Sequence, residues 1–341
     1  MTMRNASFFV TAFIAVLLSV QQTQAAAPYY QGKSIRFVVG ASAGGGYDTY
    51  TRVIARHIGR HIPGGPSIVV ENMAGAGSLI AANYVYNVAK PDGLTVGHFI
   101  GGLILQQLLG KPGIEFDSRR FIYIGVPAQD NTVLGIAAST AITTPEQWLG
   151  SKKVLKFGGV GPGSAADDIP KIAAATIGLP VQLVTGYKGT SIIRLAFNNG
   201  EIHGLANSWE SFKSTWTREV ENGDLKVILQ ATPKRHPDLP NVPLIVDYAK
   251  TQEAKNLIEV GIHNYGRTAR PYVLPPGTPD EPVQLLRKAL TETLKDPQFL
   301  ADAKKAKLDI SPLTGEEITK TVNEIFGLDK QLVEKLKSIL K

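Results

Sequence analysis

Two short stretches hold the residues best placed to do chemistry: "VVGASAGGGYDTYTRVIARHI", Val38 to Ile58, and "FGGVGPGSAADDIPKIAAA", Phe157 to Ala175. Each reads as a strand, a glycine-rich turn and a helix, which sets bare backbone N–H groups and the positive end of a helix dipole against an anion. The first is not a phosphate-binding P-loop. Gly40 and Gly45 have the spacing, but Gly46 and Tyr47 stand where the motif needs Lys and then Ser or Thr. A dinucleotide fingerprint also fails, since Ser42 occupies the place of its second glycine. What survives is Gly44, Gly45 and Gly46 ahead of a helix that Asp48 is suited to cap. In the second stretch Gly161 and Gly163 open the backbone, and Ser164 with Asp167 makes a capping-box-like helix start. Ser164 lacks the flanking glycines of a G-x-S-x-G nucleophile elbow. Two such helix N-termini, facing each other, would hold the two ends of a short dianion without a charged side chain. A tight turn with no ligand is the competing reading of the first loop alone.

Other candidates are fewer. His57 and His61 share a helix face, but "HIGRH" lacks the Glu of H-E-x-x-H and places Arg60 beside them, so a solvated face is expected and no metal. His98, His203, His236 and His263 stand alone in sequence, and cysteine is absent, which removes disulfides, thiolate nucleophiles and Cys metal sites. With neither nucleophile and base nor a metal set, no enzymatic activity and no cofactor are expected. The net charge of +7 suits an anionic ligand, but the cations are scattered and form no tract for nucleic acid.

The elements that must position these loops follow from composition and pattern. A chain of 341 residues, 43% hydrophobic and 19% charged, can bury a full core and is long enough for two domains. Residues 1–25 read as a removed export signal: Arg4, the apolar run "SFFVTAFIAVLLSV", then Thr23 and Ala25 as small residues before the cut. The run is too short for an ordinary membrane anchor, the alternative reading, and the mature protein is expected to be soluble outside the cytoplasm. From Ser34 to Val126, "IRFVV", "SIVVEN", "LTVGHF" and "FIYIGV" alternate with helical patterns, as in parallel α/β units. Tyr50, Val53, Ile54 and Ile58 fall on one helix face. The alternation restarts after Pro127 with "TVLGIAA", "VLKFGGV", "VQLV", "EIHGLA" and "LKVILQA", which predicts a second α/β domain. "TPEQ" from Thr144 and "TPDE" from Thr278 each predict a helix with a Thr cap and Pro in the first turn. "TPKRHPDLPNVP" from Thr232 predicts an exposed connection. "TGEE" from Thr314 predicts the start of one last helix running to Ile339.

The succession "AGGGYD", "VVENMAGAGSLIAANYVYNVAKPDGLTV", "GVGPGS", "TGYKGTS", "NNGEIHGLANS" and "HPDLPNVP" resembles the extracytoplasmic binding proteins of tripartite tricarboxylate transporters, the Bug or TctC-like family. The resemblance implies a type II periplasmic binding-protein fold: two α/β lobes joined by two crossover strands, with residues 26–126 and 269–341 in one lobe and 127–268 in the other. It implies a monomeric periplasmic receptor that takes a small organic acid between its lobes and hands it to integral membrane subunits; a sensor for a membrane kinase or a periplasmic enzyme would be the alternatives. Carried over by position, the first-lobe loop falls on Ala43, Gly44, Gly45 and Asp48. The second-lobe anion loop falls on Gly161, Gly163 and Ser164 with Ala165, and Y-K-G on Tyr187, Lys188 and Gly189, followed by Thr190. "ANSWES" adds Asn207 and Trp209, the latter either a stacking surface for the ligand or lobe packing. Ala43 stands in place of the family's proline, and Asp167 or Asp168 in place of a frequent His.

Overall fold

The computed structural model describes residues 27–341, so the expected leader lies outside the described residues. Extended runs bounded by Gly and Pro become strands, and each helix turns its apolar stripe onto a sheet. β1 (Ser34–Val39), β2 (Ser67–Asn72) and β3 (Thr95–His98) run parallel, connected through α1 (Gly46–Ile58) and α2 (Leu79–Asn87). On α1 the buried residues include Tyr50, Val53, Ile54 and Ile58, the face that the spacing marks. The chain continues through α3 (Leu103–Leu108) to β4 (Ile122–Val126).

An extended segment, residues 127–131, then crosses to a second sheet. It begins with β5 (Thr132–Ala137), α4 (Pro145–Ser151), β6 (Leu155–Gly158), α5 (Ala165–Ile177) and β7 (Val181–Val184). It continues with α6 (Thr190–Asn198), β8 (Gly204–Ser208), α7 (Trp209–Thr215), α8 (Thr217–Glu221), β9 (Leu225–Gln230) and α9 (Gln252–Ile258). The return crossing is α10 (Asn264–Thr268) and a bend, not a strand, leading into β10 (Tyr272–Leu274). Helix α10 stops there because Pro271 disfavours helical geometry at Arg270 before it. Then follow α11 (Asp280–Lys295), α12 (Pro297–Lys305), β11 (Leu313–Thr314), α13 (Gly315–Phe326) and α14 (Lys330–Leu340).

The sheets have the orders β11-β4-β10-β3-β1-β2 and β7-β6-β8-β5-β9. They are mixed where the sequence pattern reads as parallel units: β10 inserts antiparallel between β3 and β4, and β5 runs antiparallel to β8 and β9. β5 and β10, the strands that follow the two crossings, both run antiparallel to their neighbours. The molecule is thus two α/β lobes.

Local signals fare unevenly. Thr144 caps α4 by accepting from the Gln147 amide at 3.2 Å, and Thr314 with Glu317 forms a full capping box on α13. Thr278 does not cap α11. Its hydroxyl turns back to the Pro275 carbonyl at 2.9 Å, and the helix starts at Asp280 with Pro279 in the cap position. The last predicted helix is two, because Gly327 ends α13 and Asp329 caps a separate α14 through the Gln331 and Leu332 amides. Expected with the first lobe, α14 instead returns to α5: Leu336 and Leu340 join the buried core of the second lobe. Residues 232–243 form the irregular connection read from their prolines.

Candidate functional site

The two glycine-rich loops bring the lobes edge to edge. The Ser42 amide donates to the Lys188 carbonyl at 3.1 Å, the Ser42 and Ser191 hydroxyls lie 2.9 Å apart, and the Ser191 hydroxyl donates to the Ala43 carbonyl at 3.1 Å. At the other side Gly102 and Gly163 meet so closely that a Cβ on Gly102 would lie 2.0 Å from the Gly163 carbonyl oxygen. Gln106 Nε2 reaches across to Asp168 Oδ2 at 2.8 Å. Between these contacts lies a cleft lined by residues of both lobes.

Six of the residues carried over from sequence line this cleft: Gly45, Ser164, Ala165, Gly189, Thr190 and Asn207. The others lie outside its wall. Ala43 and Gly44 are exposed at the mouth, and Asp48 lies behind the loop, bonded to Arg52 and Asn72 at 2.9 Å each. Gly161 and Gly163 press against the first lobe at Gly77 and Leu103. Tyr187 packs on the second-lobe core, and Lys188 points into solvent. Trp209 is lobe packing: it belongs to the buried core, and its indole N–H donates to Asp238 at 2.9 Å. His57 and His61 are held apart by different carboxylates, Asp302 at 2.9 Å and Asp296 at 2.8 Å, along the α1–α12 contact.

Three of the loops' amides are taken by the protein's own carboxylates. The Gly44 amide donates to Asp48 at 2.9 Å, the Gly161 amide to Asp167 at 2.7 Å, and the Gly163 amide to Asp168 at 3.1 Å. Ser164 accepts from the Asp167 amide as the α5 cap, and its hydroxyl lies 2.7 Å from the Gly161 carbonyl and 2.9 Å from the Asp167 carboxylate. Asp167 and Asp168 therefore hold the second-lobe loop from within. Burial works against ionised Asp48, but Arg52, the Gly44 amide and Asn72 outweigh it and hold the carboxyl below its usual range. Asp168 has no such surplus of donors, and burial pushes it up to about 7.

The cleft floor holds a group that no motif marked. Arg270, 1% exposed, lies on the return crossing and pairs through Nε with Asp130 of the outgoing one. Its Nη2 donates to Ser208 at 2.8 Å and Ser211 at 3.1 Å, and the guanidinium carbon sits 4.8 Å from the Tyr47 ring centre and 4.6 Å from that of Tyr50. Burial opposes its charge, yet Asp130 overrides this and the guanidinium stays ionised. Burial in turn pushes Asp130 upward against the pull of Arg270. Two of the cleft-lining residues carry a buried donor with no acceptor: Arg270 Nη1 and Asn207 Nδ2. Sequence reading passed over Arg270 because a single Arg before a proline carries no pattern; only its burial singles it out.

Two α/β lobes joined by two crossings and closed over a cleft define a clam-type ligand receptor. The model of the tripartite tricarboxylate transporter family receptor, TctC, matches residues 51–337, and the chain belongs to that family. It is 26% identical over 332 residues to a UPF0065 protein of Cupriavidus necator, spanning 95% of this chain and 94% of that one. The periplasmic binding protein BugD has the same fold, with a TM-score of 0.74, 22% identity, and coverage of 91% of this chain and 98% of its own. So has a Rhodopseudomonas palustris protein solved with adipate, with a TM-score of 0.73, 22% identity, and coverage of 90% and 98%. Among the described residues no helix is long and apolar enough to cross a membrane.

Proposed function

We propose that this protein is a periplasmic receptor that captures a small organic acid between its lobes and delivers it to the membrane subunits of a tripartite carrier, performing no chemistry itself. The observation that carries the reading is the pair of buried, unpartnered donors, Arg270 Nη1 and Asn207 Nδ2, at a closed interlobe cleft. A buried donor without an acceptor costs about 1–3 kcal/mol, and a ligand bearing carboxylate oxygens removes that cost. The adipate held by the R. palustris neighbour supports an acid as the ligand class. Closure then follows from differential binding, since a molecule touching both lobes is held better by the closed form than by the open one. Export with removal of residues 1–25 belongs to the same reading.

A thermal-shift screen of purified mature protein tests it. An organic acid at ~100 times its Kd should add ~2.7 kcal/mol to stability and raise Tm visibly. A shift with a neutral sugar and with no organic acid would reject the proposal.

A further inference from the structure

In the glycine loops, which family position marks as the anion seat, three amides are taken by the protein's own carboxylates. Asp48 holds the Gly44 amide, Asp167 the Gly161 amide and the Ser164 hydroxyl, and Asp168 the Gly163 amide. A ligand carboxylate placed there would have to displace one of these or sit against like charge in a dry cleft, which is unfavourable on both counts.

The floor offers what the loops do not. The Arg270 guanidinium is fixed on three sides, by Asp130 at Nε, by Ser208 and Ser211 at Nη2, and by Tyr47 and Tyr50 across its faces. Both hydrogens of Nη1 remain unused, and the group needs no rearrangement to donate them. Asn207 Nδ2, on β8 next to Ser208, is the second unused donor at the same cleft.

We infer that Arg270, with Asn207, anchors the ligand, and that the class it selects is a monocarboxylate with an apolar body. This rests on the organic-acid reading and deepens it. Of the residues lining the cleft, Arg270 is the one cation, and Asp130 already matches its charge. One ligand carboxylate can pair with this guanidinium; a second would meet no further cation among the lining residues. Tyr47, Ile100, Val160, Ala166, Ala206 and Tyr265 give the wall apolar surface for a hydrocarbon body.

Calorimetric titration of the mature protein with hexanoate, benzoate, adipate and glucose tests the inference, using the wild type, R270Q, D130N/R270Q and N207D. Hexanoate or benzoate should bind at least about 10-fold more tightly than adipate, and each variant should weaken that binding by about 10- to 100-fold, the worth of a charged hydrogen bond. R270Q strands Asp130 and can unfold the chain, so the double variant, which removes both charges at nearly constant shape, keeps the test valid once its Tm shows it folded. Adipate bound more tightly than both monocarboxylates would overturn the ligand class while leaving an organic-acid receptor. Unchanged hexanoate and benzoate affinity in the folded double variant would overturn the anchor. Glucose binding in the absence of any carboxylate binding would instead remove the receptor reading on which both stand.

Discussion

Asp168 joins the chemistry of one residue to the state of the cleft. Its Oδ2 accepts from Gln106 of the opposite lobe and from the Gly163 amide, while Oδ1 is buried without a partner. Burial pushes its carboxyl up to about 7; Asp167 adds to the shift, and Gln106, the Gly163 amide and Lys171 oppose it. With the lobes apart, water reaches the carboxylate and its pKa falls toward the ordinary range near 4. The closed form therefore holds the proton more tightly, so this contribution to closure is full below about pH 4, falls as pH rises from about 4 to about 7, and is gone above 7. Ligand affinity should weaken by up to about tenfold per pH unit between about 4 and 7 and level off above that, and D168N, which keeps the acceptor oxygen, should flatten the profile. Titrations at pH 6 and 8 decide this; equal Kd values in the wild type would refute it. Glu210 of α7, also pushed up to about 7 by burial, accepts from Asn131 beside β5 of the same lobe. At this scale Ser164 and the two aspartates of "SAADD" were visible in sequence as a helix start, whereas their occupation of the loop amides required coordinates.

The glycine-rich turns act as elements that let two lobes touch. A Cβ at Gly163 would lie 3.0 Å from the Leu103 amide nitrogen and 3.2 Å from Gln106 Cγ, and one at Gly45 would lie 3.1 Å from the Thr190 hydroxyl. In both cases the obstacle belongs to the other lobe. Valine at Gly45 or Gly163 should therefore hold the cleft open: small-angle scattering should give a larger radius of gyration, and ligand affinity should fall. Gly163 also has φ +88°, so G163V adds strain of about 1–2 kcal/mol, whereas Gly45 at φ −92° adds none. Weakened binding with a scattering curve identical to wild type would show that the side chain blocks the ligand instead. The strands and most helices were legible because period and caps are local, as in "TPEQ" and "TGEE". Thr278 and the α13–α14 break were not, since the Pro275 carbonyl outcompeted the cap and only Gly327 marks the stop.

At the scale of the molecule, the last helix ties the two lobes together a third time. The chain crosses at residues 127–131 and at 264–271, and α14 then leaves the first lobe to lie on α5. Leu336, 0% exposed within the second-lobe core, is the peg. L336A should cost about 2–5 kcal/mol in denaturant unfolding, as a buried leucine does. A loss well under 1 kcal/mol would show that α14 merely rests on the surface. By itself the sequence determined the α/β class, the two glycine loops as the meeting edges of two domains, and the family, because periodicity, turn chemistry and motif order are written in neighbouring residues. Only the tertiary structure decided what the cleft offers a ligand. Arg270 meets Asp130 across 140 positions of chain, a pairing that no local signal encodes.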